Sequence, residues 1–179
     1  MRDWNVVVTV REKGFVLACE LLEEFGRIEK TGYFNVLVMR VENMGEFLER
    51  LRREISENPS IMNFLARVIP VSEVFDFRTP EEFESKAGQA ALQWAPKLAG
   101  KSFHVRIHRR GFKGRLSSME EERLIADILL EALNKAGTPG RIAFKNPDAV
   151  LDVEILGQEA GLSLWQREEL ERYPFLRPA

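Results

Sequence analysis

The segment Phe103-His-Val-Arg-Ile-His108 alternates apolar with basic residues at a period of two, and helical patterns stand on either side of it. A strand of this kind puts one face into a core and leaves the other face basic. The flanking helices announce themselves. Thr79-Pro-Glu-Glu82 combines a capping threonine with a proline at the first helical position, ahead of Phe83, Ala87, Ala91 and Trp94 on one face. Ser118 with Glu121 repeats the capping box before Leu124, Ile125, Ile128, Leu129, Ala132 and Leu133, a pattern closed by Gly137 and Pro139. Amphipathic helices bracketing a half-buried strand need a sheet to lie on, which makes the fold class α+β.

The rest of the chain extends this picture. Trp4 to Val10, Tyr33 to Val41 and Val68 to Phe77 read as strands, with a short strand at Arg27 to Lys30. Phe15 to Phe25 and Phe47 to Ile55 read as helices. That order predicts an N-terminal ferredoxin-like α/β sandwich over residues 1–78, with helices on one face of an antiparallel sheet. The capping box at Thr79 places the boundary, and residues 79–179 form a second α/β domain. Its further strands are Ile142 to Phe144, Val150 to Leu156 and Leu162 to Trp165, with Gly157 to Gly161 closing the last two as a hairpin. The end, from Arg172, reads as a packed or extended tail.

Chemistry-bearing motifs are scarce. No phosphate loop, dinucleotide-binding glycine pattern or Cys-x-x-Cys occurs. Cys19 is the single cysteine, which removes internal disulfides and thiolate metal cages and fits a reducing cytosol. His104 and His108 are four strand steps apart, roughly 13 Å, so one ion does not bridge them. Glu120, Glu121 and Glu122 are explained by the positive end of a helix dipole. The expectation is therefore no catalytic residue, no metal and no cofactor. No apolar run reaches the roughly 18 residues of a membrane span, and the N-terminus lacks a secretory leader pattern, so a cytoplasmic protein without membrane contact is expected.

One lead remains. Lys101 to Arg115 holds six Lys and Arg and no acid, in a chain of formal net charge -2. Arg106, His108 and Arg110 share a strand face by parity. Gly111, Phe112, Lys113, Gly114 and Arg115 make a basic, glycine-rich loop that feeds a helix N-terminus beside Ser117, where free N–H groups favour an anion. A charged strand face is often simply solvated, and Phe112 serves equally as a stacking ring or as a loop residue folded onto the core.

The run from Phe103 to Gly111, the helix after Ser118 and the stretch Asn146-Pro-Asp-Ala-Val-Leu-Asp-Val-Glu154 together resemble the THUMP domain, an RNA-binding module of tRNA-modifying proteins. The preceding ferredoxin-like unit fits the resemblance. It implies tRNA as partner, held by its acceptor stem and 3′ CCA end, and a tRNA-modifying enzyme as a second partner. It also implies RNA contacts at Arg106, His108, Arg109, Arg110, Phe112, Lys113, Arg115 and Ser117, with Lys86 and Lys97 on the preceding helix. The chain is most similar to stand-alone THUMP proteins, relatives of which serve a cytidine N4-acetyltransferase as adaptors. The alternatives are the substrate-binding part of a divided or longer methyltransferase or thiouridine synthetase, and a protein-interaction scaffold.

Overall fold

The computed structural model describes residues 3–177, which divide into two compact units. The first comprises residues 3–71 and 168–177, the second Ser72–Arg167.

In the first unit, β1 (Val6–Val10), α1 (Phe15–Leu22), β2 (Arg27–Lys30), β3 (Val36–Arg40), α2 (Met44–Glu57) and β4 (Leu65–Pro70) follow one another. The sheet order is β2-β3-β1-β4, antiparallel throughout. This strand–helix–strand–strand–helix–strand succession is the connectivity that the alternating pattern pointed to. Strand β1 does not alternate: Val6, Val7, Val8 and Val10 are all buried. A strand covered on both faces is uniformly apolar. The C-terminal segment covers the neighbouring strand: Leu170, in α5 (Arg167–Arg172), is buried with Phe175 and Leu176, and the turn Pro174–Leu176 packs on β4. Glu49 on α2 ties the segment down, accepting from Arg172 Nε at 2.8 Å and from the Tyr173 hydroxyl at 2.7 Å.

The second unit contains β5 (Glu73–Asp76), α3 (Pro80–Leu92), β6 (Ser102–Arg110), α4 (Ser118–Lys135), β7 (Arg141–Ile142), β8 (Ala149–Leu156) and β9 (Glu159–Gln166). The sheet order is β5-β9-β8-β6-β7. Strands β6 and β8 run parallel, a pairing that needs a long crossover, and α4 supplies it. Phe103, Val105 and Ile107 of β6 join Leu151, Val153 and Ile155 of β8 in one core with Phe83, Ile125 and Leu129 of the helices. Each such side chain contributes about 1.5–3 kcal/mol on burial. The opposite sheet face therefore holds His104, Arg106, His108 and Arg110 on β6, and Asp152 and Glu154 on β8.

Two expectations change. Val68 to Phe77 is not one strand: it breaks after Pro70, and β4 and β5 lie in different sheets. The two units accordingly change over at residues 71/72 rather than 78/79, and the last ten described residues return to the first unit instead of closing the second.

Candidate nucleic-acid interface

Strand β6 positions its side chains as its alternation requires, but what they meet differs along its length. Arg106 is exposed. His108 is half-buried, with Nε2 3.9 Å from Asp152 Oδ2. Arg110 donates from Nη1 to Glu154 Oε1 at 2.8 Å, and Glu154 is completely buried. The solvent-facing placement read for Arg110 is thus corrected: its side chain is 16% exposed and lies against a buried carboxylate. The cause is the parallel register, which sets Arg106 opposite Asp152 and His108 opposite Glu154. A bare Glu154 in that interior would carry a large desolvation cost, and the guanidinium offsets it.

His108, Asp152 and Glu154 bring ligand-type atoms within 4.8 Å of one another, the single grouping of that kind among the described residues. The Arg110 guanidinium already sits at this grouping, so an entering cation competes with a charge held in place. The arrangement is explained as a buried ion-pair cluster.

The loop after β6 is built from left-handed residues: Gly111, Phe112 and Gly114 have φ of 79°, 55° and 80°. Glycine takes this conformation freely, whereas Phe112 is strained in it. Packing holds it there. Its ring meets Phe77 at 5.3 Å, edge to face, and the Arg115 guanidinium stands 4.4 Å over the ring. Phe112 is therefore folded onto the core, with its remaining face covered by Arg115. Arg109 turns back to donate from Nη1 to the Gly111 carbonyl. Lys113 and Arg115 are exposed.

Ser117, not Ser118, caps α4, its hydroxyl accepting from the Glu120 N–H at 3.4 Å. With that amide engaged and Glu120 and Glu121 in the first turn, the helix terminus itself offers little to an anion, and the positive charge comes from Lys113 and Arg115. Glu121 needs more than the dipole account. It is buried, and burial followed by a hydrogen bond and charge from Glu84 on α3 pushes its pKa up to about 8. Lys86 is drawn inward, donating to the Asp76 carbonyl at 2.6 Å and to Glu82 Oε1 at 2.9 Å. Lys97 is exposed, on a short 3-10 turn beyond the end of α3.

The structure thus brings Arg106, Lys113, Arg115 and Lys97 to the surface and turns His108, Arg109, Arg110 and Lys86 toward intramolecular partners. Two features escaped the sequence reading. Asp152 and Glu154 are legible only as polar residues on a strand, and their role depends on the register with β6. Phe144, 77% exposed, has its ring 5.7 Å from that of His104, beside a groove of about 370 Å³ between α4 and the β6–β7 edge.

The THUMP domain family model matches residues 78–164. Over 167 residues, 89% of its length, the chain is 24% identical to a tRNA sulfurtransferase of Vibrio parahaemolyticus, and it spans about a third (34%) of that protein. Among solved structures, TrmN from Thermus thermophilus superposes with a TM-score of 0.62 at 23% identity, over 90% of this chain and 44% of that one. A 4-thiouridine synthetase in complex with RNA and ATP superposes with a TM-score of 0.55 at 14% identity, over 91% and 41%. At these identities the structural likeness speaks for the fold. The β6–α4–β8 crossover and the stretch from Asn146 to Glu154 fall inside the segment matched by the family model, so that residues 78–164 of the chain are a THUMP domain.

Proposed function

We propose that this chain binds tRNA and presents it to a modifying enzyme, supplying no chemistry itself. The THUMP domain at 78–164 carries the reading, together with the relative, which is a tRNA sulfurtransferase. Exposed Arg106, Lys113, Arg115 and Lys97 supply cationic contacts for phosphates in a chain whose net charge is slightly negative. The tRNA is held by its acceptor stem and 3′ CCA end, since side chains do not read the deep, narrow major groove of an A-form duplex but do engage a single strand. The partner is a tRNA-modifying enzyme such as a cytidine N4-acetyltransferase, and the compartment is the cytoplasm. The test is fluorescence anisotropy with one tRNA, intact and lacking its CCA. Markedly weaker binding of the shortened tRNA is expected; equal binding overturns the 3′-end assignment, and no binding of either overturns the reading.

A second reading rests on length. The chain spans a third of its sulfurtransferase relative, which favours a substrate-binding part whose catalytic portion lies on another chain or outside this sequence. The intact mass of the native protein, isolated from cells with its partners cross-linked, separates the two.

A further inference from the structure

The groove at the β6–β7 edge runs along α4 from Met119, two residues beyond the Ser117 cap, to Asp127. Three of the exposed large apolar residues of the second unit, Met119, Ile142 and Phe144, line it, and Val105 and Ala126 are also in its wall. Its aromatic wall is the tilted pair of Phe144 and His104, with ring planes 36° apart. His104 Nδ1 lies 3.1 Å from the Ala143 carbonyl, so Nδ1 carries the proton and Nε2 is left as an acceptor. Burial, with the Arg106 charge assisting, holds the pKa of His104 below its ordinary value, and a neutral imidazole stands in the groove at pH 7. The Asp127 carboxylate adds an acceptor and the exposed Arg123 a cation, while the Glu122 carboxyl, its pKa raised by burial, is engaged by the Ile107 backbone N–H. A volume of about 370 Å³ is within the range of small-ligand sites.

We propose that this groove is a pocket for one unpaired, amino-bearing nucleobase, adenine or cytosine, stacked on Phe144 beside His104. The proposal rests on the RNA-binding reading above and adds a second point of attachment to it. The charges select this occupant. Exocyclic amines donate to Asp127 and His104 Nε2, whereas uracil presents a carbonyl oxygen to the Asp127 carboxylate and meets like charge. Arg123 and Arg106 receive the flanking phosphates. A flexible single strand suits the site, because the base must leave a stack to enter it.

The experiment is anisotropy of the full chain with 12-nucleotide oligoadenylate, oligocytidylate and oligouridylate, for the wild type, Phe144→Ala, Phe144→Tyr and Asp127→Asn. In parallel, AMP, CMP and UMP are titrated while backbone amide shifts are followed. The expected results are tighter binding of oligo(A) and oligo(C) than of oligo(U), and a loss of about 5- to 150-fold in Phe144→Ala, the range of one base–aromatic stack. Phe144→Tyr retains affinity, Asp127→Asn removes the base preference, and AMP and CMP shift amides at residues 142–145 and 119–127. Exposure of Phe144 means that its replacement leaves the fold intact. If the wild type binds RNA and Phe144→Ala binds it equally well, the pocket is overturned while the RNA reading stands. If the wild type binds no RNA, both fall.

Discussion

Arg110 and Glu154 form an ion pair in which the carboxylate has no exposed surface and the guanidinium Nη1 lies 2.8 Å away. Removing the cation takes the Arg110 partner from a fully buried carboxylate, and breaking a buried pair from one side costs about 3–5 kcal/mol. Arg110→Ala is therefore expected to lower stability by about 3 kcal/mol and Arg110→Glu by more, whereas Lys113→Glu, at an exposed position, changes it by less than about 0.5 kcal/mol. Urea unfolding of the three variants measures this. Equal stability of Arg110→Ala and wild type means that Glu154 is otherwise compensated.

Glu121 predicts a pH dependence of opposite sign to the common carboxylate case. Its pKa in the fold, about 8, lies above the ordinary 4.5 of the unfolded chain. The native state holds the proton more tightly, so stability is complete below pH 4.5 and declines as pH rises toward 8. Glu121→Gln keeps a neutral group there and is expected to flatten the decline, with the largest gain at pH 8. Thermal melts of both proteins between pH 5 and 9 show whether the slope disappears.

Glu49 behaves in the reverse way. Hydrogen bonds from Arg172, then Tyr173, hold its carboxyl at about 2. Its contribution is present above pH 4.5 and is lost as pH falls toward 2. The pair is exposed, so the gain in stability is small; the sensitive readout is the titration itself. Carboxyl-carbon NMR is expected to return the Glu49 midpoint toward 4.5 in Arg172→Ala, and an unchanged midpoint would place the shift elsewhere.

Salt should weaken tRNA binding in a way that counts contacts. With about four phosphates neutralised, log affinity against log salt falls with a slope of roughly -3 to -4. Arg115→Ala removes one contact and is expected to make the slope shallower by about 1. It also uncovers the Phe112 ring, so its melting temperature is recorded alongside. Affinity that ignores salt argues against the exposed cations as the docking surface.

The elements that the sequence made legible were those whose pattern depends on near neighbours. Phe103, Val105 and Ile107 declare a strand by parity alone, and Thr79 and the caps declare helices within one turn. Pairing between distant segments left no such mark. The run from Val68 to Phe77 is apolar on both sides of Pro70, and only partner choice shows that its halves serve different sheets. Phe175 and Leu176 fall in a tail that reads as packed or extended, and nothing local names the unit on which they and Leu170 pack. At the candidate site the same limit applied. Six basic residues were visible as charge, while the carboxylates that engage Arg110 and approach His108 lie more than forty residues downstream and are brought alongside by the parallel register. Phe144 was read as the end of a strand, and its exposure depends on β7 stopping at Ile142.

Because the first unit takes its last buried side chains from residues 168–177, the order of synthesis matters. The leading segment leaves the ribosome with part of its apolar sheet bare, and at roughly 5–20 residues per second the missing piece follows on the order of 5–20 s later. The intervening unit, Ser72–Arg167, is continuous in sequence and has every strand that it needs before residues 168–177 emerge. It can thus mature first, and residues 3–71 spend that interval as a client for a chaperone, sealed only once residues 168–177 have followed.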